Sequence, residues 1–316
     1  MAFREPSEST RQEYAARMNR VVDHIQSHLS ESLDLEKLAG IACFSPFHFH
    51  RLFRAWMGET LQGFVHRLRL ERAASELVFD LRKSITAIAL DCGFSSSAAF
   101  ARAFKEAFGV SATEWRNSKI HQTRSKIGEA GGDAFPGLSD LPGPTIRNKE
   151  TSAMNFPINV EVRNLAPFTV AYLRHVGPYM GDHALFQRLF GRLFGWAGPR
   201  GLLGPQMSYL SILHDNPNLT PAAKHILEVA LVVPQGTPAE GEIGVKTIDG
   251  GSCALARVRI LPTDFAKPWD ALAGNWLPGS GYQPEHRPAM EFYWNDPAKD
   301  PEGKFEIEIC MPVRPL

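Results

Sequence analysis

One carboxylate in this 316-residue chain lies where its surroundings could give it a chemical role. Glu291 stands in the run 290–294 (MEFYW), in which the four remaining residues are all large and apolar. If that run is a buried strand, a carboxylate without a protein cation would become neutral or attract a cationic ligand. Strand alternation places Tyr293 on the same face, where neighbouring aromatic rings could add cation–π attraction. The alternative is a solvated glutamate on an edge strand.

Two arginines form a second candidate set, because an internal repeat places them at equivalent positions. The segment 38–58 recurs at 88–109, with an apolar pair and then Phe-Ser, Phe, Arg, Phe and Gly in the same order. Arg51 and Arg102 occupy the shared arginine position. Arginine can pair bidentately with guanine in the major groove, which makes both positions candidates for contacts with DNA bases.

Each copy of the repeat predicts two helices that meet at a short turn. Ser45 in the first copy and Ser95 or Ser96 in the second are suited to cap the second helix, and Pro46 suits a first helical position. Both copies end in glycine, as helices often do. Such a pair is a helix-turn-helix, whose second helix can enter the major groove, and the range 61–78 predicts a long helix between the copies. For either copy alone, the alternative is a packing corner of an all-helical domain.

The charge distribution separates a basic first part from an acidic second part. The chain carries 34 Lys+Arg and 34 Asp+Glu, and a net charge of zero would argue against a polyanion-binding protein. Divided after Lys126, however, the first part has a net charge of +4 and the remainder −4. Residues 43–126 alone carry +6. The zero is therefore a cancellation, and the first part has the charge that phosphate contacts require.

Motifs in and between the two copies are more specific than the repeat itself. They include Leu38-Ala39, Phe44-Ser45, the run 48–53 (HFHRLF), the run 67–73 (RLRLERA), the run 92–95 (CGFS), Phe104-Lys105 and Trp115-Arg116. These motifs make residues 22 to about 120 resemble the DNA-binding domain of the AraC/XylS family of bacterial transcription regulators. The resemblance implies an all-α domain, residues 1–120, with two helix-turn-helix units. Their recognition helices would enter successive major grooves of double-stranded DNA, about 34 Å apart.

The resemblance also assigns the residues that contact DNA. The base-facing positions are Phe47, His50 and Arg51 in the first unit, and Ser97, Ala98, Ala101 and Arg102 in the second. Only Ser97 and Arg102 of the second set can form hydrogen bonds with base edges, so we expect the second unit to read sequence loosely. Arg54, Lys105 and Arg69 are assigned to phosphates, which position a protein without specifying sequence.

The rest of the chain predicts a second domain of a different class. Residues 121–155 contain Gly-Gly, Pro-Gly and Pro-Gly-Pro, and we assign them to a linker. Residues 156–316 hold a weaker repeat, in which 208–217 parallels 289–297 and 227–234 parallels 305–312. A predicted strand and helix precede each pair, so we expect an α+β domain made of a duplicated strand-helix-strand-strand unit. The cleft between the two copies would suit a small molecule.

Four segments of the second domain carry a further resemblance: 176–179 (VGPY), 186–196, 291–297 (EFYWNDP) and 305–312. They make residues 156–316 similar to the GyrI-like effector-binding domain. The resemblance implies that the domain binds an amphipathic, often cationic small molecule above a glutamate at the pocket floor, which corresponds to Glu291. Aromatic residues would form the walls, and our candidates are Tyr293, Trp276, Tyr282, Tyr172 and Tyr179.

Together the two resemblances predict a sequence-specific transcription regulator whose C-terminal domain binds a small effector. We expect double-stranded DNA and RNA polymerase as partners, a monomer or weak dimer, no catalytic residues, no cofactor and no metal. Two alternatives stay open: a hydrolase in which Glu291 acts with Tyr293 or Trp276, and a protein-binding module of the gyrase-inhibitor kind. The sequence contains no nucleophile-elbow, zinc-protease or phosphate-loop motif in support of an enzyme.

Three features predict a cytoplasmic location. The N-terminus lacks the pattern of a signal peptide, and no apolar run approaches the ~20 residues of a membrane helix. The four cysteines are scattered and contain no CxxC pair. Cys43 and Cys92 fall at the turns between predicted helices, where we expect small buried residues rather than redox sensors.

Overall fold

The computed structural model describes residues 8–125, 156–204, 207–217 and 219–316. The range 8–125 is helical, and its helices are α1 (Glu8–Ser27), α2 (Leu35–Ile41), α3 (Pro46–Met57), α4 (Leu61–Phe79), α5 (Ile85–Asp91), α6 (Ser97–Phe108) and α7 (Ala112–Ser125). α7 extends past the domain boundary expected at residue 120. The rest of the predicted linker, 126–155, lies outside the described residues.

The internal repeat forms two helix-turn-helix units, α2–α3 and α5–α6, and α4 links them as predicted. Pro46 opens α3, and Ser45 occupies its N-cap position without a capping hydrogen bond from the side chain. In the second unit the capping residue is Ser96, whose hydroxyl accepts a hydrogen bond from an amide of the first turn of α6. Left-handed glycines end both helices, with φ of 72° at Gly58 and 75° at Gly109.

The turns inside the two units differ at one equivalent position. Gly93 has a φ of 85°, and Cys43 adopts the same left-handed region with a φ of 53°, which is uncommon for a residue with a side chain. The prediction that Cys43 is buried is wrong, because its side chain is exposed, whereas Cys92 is fully buried. A Cβ at position 93 would lie 2.8 Å from the guanidinium of Arg69, so glycine is required there.

Each unit has its own apolar core. In the first, the rings of Phe49, Phe53 and Phe64 pack edge to face, with centroids 5.7 and 5.5 Å apart. α1 belongs to this core through Met18, Val21, Val22 and Ile25, and the second core contains Leu70, Leu77, Ile88, Phe94, Phe100 and Phe104. Burial of one such side chain contributes about 1.5–3 kcal/mol, so each unit has its own driving force for folding.

The described residues of the second part form a nine-stranded antiparallel sheet. Its strands are β1 (Val160–Leu165), β2 (Phe168–Val176), β3 (Tyr209–Leu213), β4 (Ile226–Val232), β5 (Gly244–Ile248), β6 (Gly251–Ile260), β7 (Tyr282–Pro284), β8 (Ala289–Tyr293) and β9 (Phe305–Pro315). Two α-helices accompany them, α8 (His183–Ala197) and α9 (Ala266–Ala271). The strand order is β1-β6-β9-β8-β3-β4-β2-β5, and β7 pairs with β9 off this path.

The strand order confirms the duplicated unit. From the centre outward it is β8-β9-β6 on one side and β3-β4-β2 on the other, and a helix follows β6 as well as β2. The central pair β3–β8 places Ser211 directly opposite Glu291. This is the middle one of the five residue pairs that join β3 to β8, so the pseudo-twofold axis passes between the two residues.

Side chains alternate along each strand, so the sheet has two distinct faces. Different helices pack on these two faces. α8 and α9 pack on the face that carries Glu291 and Tyr293. α1 of the helical part approaches the opposite face at β5, so the sheet lies between the candidate pocket and the DNA-binding part. Within the described ranges, no helix combines the length and the apolar character needed to cross a bilayer.

Candidate functional site

The outer faces of α3 and α6 carry the predicted DNA-contacting side chains. Those exposed are His50, Arg51 and Arg54 on α3, and Ser97, Ala98, Ala101, Arg102 and Lys105 on α6. Phe47, the remaining predicted residue of α3, lies outside the described side chains. Phe49 and Phe53 of α3, and Phe100 and Phe104 of α6, point into the cores, so each helix turns a polar face to solvent where a duplex can reach it.

Arg69 is placed differently from the prediction that it contacts phosphate. Its Nε donates to the carbonyl of Leu29 at 2.9 Å, and its Nη2 donates to the carbonyl of Glu31 at 2.6 Å. Burial lowers the pKa of Arg69, in keeping with a half-buried guanidinium. These contacts tie α4 to the connection between α1 and α2, so we assign Arg69 to the packing of the first unit rather than to DNA.

Glu291 is a buried carboxylate, with only 6% of its surface exposed. Its Oε1 accepts a hydrogen bond from Nε1 of Trp269 at 2.7 Å, and its Oε2 accepts one from the hydroxyl of Tyr293 at 3.2 Å. Burial raises the pKa of Glu291, and the hydrogen bonds from Trp269 and Tyr293 oppose that rise without overcoming it. No cation of the described chain offsets the charge of this carboxylate.

Tyr293 connects Glu291 to the central strand on the other side of the pseudo-twofold axis. Its hydroxyl lies 2.9 Å from Oγ of Ser211, which is fully buried. Burial and the neighbouring charge of Glu291 raise the pKa of Tyr293 well above its usual value, so the phenol stays protonated and can donate. Its ring stacks on Tyr209 at 5.6 Å and meets Phe190 edge to face at 5.7 Å.

The other predicted wall residues fall in two groups. Trp276 and Tyr282 stack on each other with centroids 6.2 Å apart, and both pack in the same apolar cluster as Tyr293. Tyr179 lies in the neighbouring cluster, where its ring meets that of Phe186 on α8 edge to face. The structure thus places Trp276 and Tyr282 in the apolar cluster that contains Tyr293, and Tyr179 in the cluster next to it.

Tyr172 is not a wall of this site, contrary to the prediction. It lies on the opposite face of the sheet, and its hydroxyl donates to Oδ2 of Asp23 on α1 at 2.5 Å. Its cross-strand neighbour is Gly244, where a Cβ would lie 2.3 Å from the phenol ring, so glycine makes room for the tyrosine. The alternation of side chains along β2 decides on which face of the sheet each residue lies, but the sequence does not indicate which face carries the candidate pocket.

Trp269 and Ser211 are the site residues that sequence reasoning missed. Trp269 lies on α9, 22 residues before Glu291, in the helix that the sequence predicts ahead of the second pair of parallel segments. A π-helical turn, Leu272–Trp276, follows α9 directly, and such turns often occur at functional sites. Ser211 becomes visible only through the pairing of β3 with β8, which joins residues 80 positions apart.

A second buried glutamate, Glu228, lies on the α1 side of the sheet beside two cations and a histidine. Arg174 Nη2, Lys246 Nζ and His214 Nε2 approach its carboxylate at 2.5, 2.7 and 2.9 Å. Burial alone would raise the pKa of Glu228, yet the three basic groups together hold it well below its usual value. Arg174 also binds Asp23 of α1 at 2.5 Å, so this network joins the two domains.

The described part of the chain places no group of three or more His, Cys, Asp or Glu side chains to hold one metal ion. Cys253 and Cys310 are buried neighbours, and Nη1 of Arg287 lies 3.8 Å from Sγ of Cys253. The hydrogen bond from Cys310 and the charge of Arg287 lower the pKa of Cys253 to about 7. The two cysteines are diagonal on β6 and β9, a Cα spacing of about 7–8 Å that exceeds the range of a disulfide.

Comparison with known proteins adds family matches to this geometry. Residues 158–314 match the GyrI-like small molecule binding domain, and residues 38–118 match a helix-turn-helix domain. A DNA gyrase inhibitor from Edwardsiella piscicida is 34% identical over 164 residues, which cover 50% of this chain and 99% of that protein. A DNA gyrase inhibitor from Escherichia coli (strain K12) is 31% identical over 161 residues, covering 50% of this chain and 98% of that protein.

Among solved structures, the DNA-binding domain of AdpA, a global transcriptional factor, in complex with a target DNA is similar at 28% identity. The match covers 36% of this chain and 98% of that chain, with a TM-score of 0.32.

Proposed function

The chain belongs to the GyrI-like family of small-molecule-binding proteins, here joined to an AraC-type helix-turn-helix domain, and we propose that a cationic effector bound at Glu291 controls DNA binding. The chain is thus a transcription regulator with a small-molecule-binding C-terminal domain. The observation that carries the proposal is the burial of Glu291 without a cation among the described residues. Control requires that the effector bind two states of the protein with different affinity.

On the DNA side, α3 provides most of the sequence readout. Arg51 and His50 contact base edges in one major groove, and Arg102 with Ser97 reads the next groove more loosely. Phe47, Ala98 and Ala101 make apolar contacts with bases, and Arg54 and Lys105 bind phosphates. The exposure of the described members of this set on two helices of one domain supports the assignment.

The DNA assignment is tested with DNA enriched from a randomised pool by binding to the full chain. Arg51→Ala should weaken specific binding about 10-fold, because a bidentate arginine–guanine pair contributes about 1–3 kcal/mol of discrimination. Arg163→Ala, which removes an exposed arginine of β1, is the matched control and should bind like the wild type. Unchanged affinity in Arg51→Ala would contradict the role of α3. Binding should also weaken steeply with salt.

On the effector side, Glu291 attracts a lipophilic cation that rests against aromatic rings. Tyr293, Trp276 and Tyr282 supply faces for the cation, and Tyr179 extends the apolar wall. Trp269 and Tyr293 now hold the carboxylate through hydrogen bonds, and a cation would replace part of that interaction. The raised pKa of Glu291 means that a bound cation, which favours the ionised form, would release a proton wherever the carboxyl is protonated.

Thermal shift with tetraphenylphosphonium tests the effector site. The cation should raise the Tm of the wild type, and Glu291→Gln should abolish the shift, since the amide keeps the shape but loses the charge. Glu306→Gln, an exposed glutamate of the neighbouring strand β9, is the matched control and should keep the shift. Equal shifts in all three proteins would overturn the cation site.

The remaining partners follow from the same proposal. We place the protein in the bacterial cytoplasm, with RNA polymerase as its partner at the promoter, and we propose a monomer or weak dimer with one duplex spanning both recognition helices. Sedimentation equilibrium at micromolar concentration checks the oligomeric state. In-vitro transcription with purified polymerase distinguishes activation, the usual role that the resemblance implies, from repression.

Two other functions make different predictions. In a hydrolase, Tyr293 and Glu291 would act on the substrate, because they share a hydrogen bond; turnover of a strained electrophile lost in Glu291→Gln would favour that reading. In a protein-binding module like the relatives named DNA gyrase inhibitors, the chain would inhibit DNA supercoiling by purified gyrase. We propose that the chain is not an enzyme and that both assays give negative results.

A further inference from the structure

The C-terminal domain contacts α4, the helix that joins the two recognition units, at two places. Near the start of α4, Nη1 of Arg67 lies 3.7 Å from Oδ1 of Asp215. Near its end, Oε1 of Glu76 lies 2.5 Å from Nε2 of His286. At a rise of 1.5 Å per residue, the two contacts are about 14 Å apart along the helix.

An ion pair lies beside each contact. Nζ of Lys224 lies 2.7 Å from Glu59, which follows the C-cap residue of α3 and also binds Arg67 at 2.9 Å. At the other end, Nη2 of Arg314 lies 3.0 Å from Asp80, the C-cap residue of α4. The effector domain therefore holds α4 at both ends, and reaches the end of the first recognition helix.

Apolar side chains of the β3–β4 connection reach both helix-turn-helix cores. Ile226 at its end is fully buried and belongs to the first core. Leu219 packs against the second core. One connection thus touches both units, whose relative placement determines how α3 and α6 fit successive grooves.

The first-named partner of α4 at each place, Asp215 or His286, continues directly from the central strand pair. Asp215 follows the end of β3 and His286 precedes the start of β8, and the antiparallel pairing brings these two strand ends together. Asp215 is four positions after Ser211, and His286 is five positions before Glu291. At about 3.3 Å per residue, the paths from the pseudo-twofold axis to α4 are only about 13 and 17 Å long.

We propose that the β3–β8 pair carries effector binding from Glu291 to α4, and thereby changes the placement of α3 relative to α6. The inference rests on the proposed function and adds the route of its regulation. The hydroxyl of Tyr293 contacts both Glu291 and Ser211, so a cation that reorients it acts on both strands at once. Lys224, His286 and Leu219 deliver that movement to α4 and to the second core.

A double variant of the full chain, Lys224→Ala with His286→Ala, tests this route. Both changes lie outside the effector site and the DNA-contacting faces. The pairs within the helical domain, Arg67 with Glu59 and Lys83 with Glu76, are left in place. The matched control is Arg163→Ala with Arg259→Ala, which removes two exposed basic residues of the same domain that pair only within it.

The affinity for pool-selected DNA is measured with and without saturating tetraphenylphosphonium. The cation should change the Kd of the wild type and of the control by about 5-fold or more, the usual lower range of allosteric coupling. In the double variant the change should fall below about 2-fold, while DNA binding and the thermal shift with the cation persist. A wild-type response in the double variant would overturn the route, and so would a wild type that binds both ligands without coupling.

A measurement without the cation separates failure of this inference from failure of the proposed effector. Coupling is reciprocal, so DNA binding to the wild type should change amide hydrogen exchange in 209–213 and 289–293. The double variant should lose that change. If tetraphenylphosphonium does not bind but this response is present, the effector proposal fails and the route stands; if the strands do not respond to DNA, the route is wrong. Lys224→Ala alone provides the same readout if the double variant does not fold.

Discussion

Glu228 and Glu291 are both buried glutamates of one sheet, yet they have opposite surroundings. Glu228 on the α1 side is within 3 Å of Arg174 and Lys246, and its pKa is well below the usual value. Glu291 on the α9 side has only neutral donors, Trp269 and Tyr293, and its pKa is raised by burial. A buried carboxylate with its own cations holds a structure together, whereas one without a cation has capacity left for a ligand.

The pseudo-twofold axis clarifies why the other copy of the repeat does not carry a glutamate like Glu291 at the central pair. The residue equivalent to Glu291 in the other copy is Ser211, a neutral side chain that faces it across the central pair. The two copies therefore form a symmetric arrangement of strands around the β3–β8 pair, and the charge of Glu291 makes this central pair asymmetric. The charge difference between the two positions, rather than the arrangement of strands, defines the candidate effector site.

The largest effect is expected from Glu228→Gln. It leaves Arg174 and Lys246 in a buried region with a single remaining carboxylate, Asp23, and removing one partner of a buried pair typically costs about 3–5 kcal/mol. Urea denaturation monitored by circular dichroism measures the change, with the exposed Glu306→Gln as the control. A loss below about 1 kcal/mol would mean that Glu228 is not the structural carboxylate we describe.

Asp215 is intermediate between Glu228 and Glu291, because it shares the cation beside it, Arg67, with two other carboxylates. Burial raises the pKa of Asp215 to about 7 from 3.8. A raised pKa means that the folded state holds the proton more tightly, so the contribution of Asp215 to stability is greatest below about pH 4 and falls as the pH rises towards 7. Asp215→Asn should remove this fall, a relative gain on the order of 2–4 kcal/mol between pH 4 and pH 8. Parallel pH profiles of the two proteins would contradict it.

Glu291→Gln should act in the direction opposite to Glu228→Gln. It removes a buried charge that no cation offsets, while the amide oxygen can still accept the hydrogen bond of Trp269. We expect the free energy of unfolding at pH 8 to rise by about 1–2 kcal/mol, with a smaller gain at pH 5 where the carboxyl is closer to neutral. Thermal unfolding at the two pH values measures this. Destabilisation as large as that of Glu228→Gln would end the distinction between the two glutamates.

The smallest effect is expected from Tyr172→Phe. The change removes one hydrogen bond to Asp23 and keeps the ring that lies beneath Arg174 and Lys246. A loss of about 1 kcal/mol should appear as a lower Tm without any change in the thermal shift caused by tetraphenylphosphonium. A lost shift would return Tyr172 to the effector site and place the pocket on the other face.

The helical domain could be predicted closely because its determinants are local. Repeat spacing, capping residues and terminal glycines lie within a few residues of the turns they determine, and the two units form as expected. Arg69 is the exception: its spacing on α4 suits an outward position, but the carbonyls of Leu29 and Glu31 bind it, and no local pattern encodes that contact. The exposure of Cys43 follows from a turn conformation that glycine adopts in the other copy.

The effector domain could be predicted in outline only, because its site is assembled from distant strands. Alternation in the run 290–294 was enough to pair Tyr293 with Glu291. It could not reveal Trp269, because Trp269 lies on α9, which β7 separates from β8 along the chain. It also could not exclude Tyr172, because the face of the sheet on which Tyr172 lies depends on the full strand order. The contacts between the domains escaped prediction entirely, since each joins residues more than 100 positions apart.

α1 has a consequence for how such proteins are assembled from modules. It precedes the matched helix-turn-helix range, 38–118, and is part of neither family match, yet Met18 and Ile25 complete the first core while Asp23 binds Arg174 of the sheet. It therefore serves as an adaptor between the two matched domains. A chimera that joins this sensor to another DNA-binding domain must carry α1 with it, or provide a new partner for Arg174.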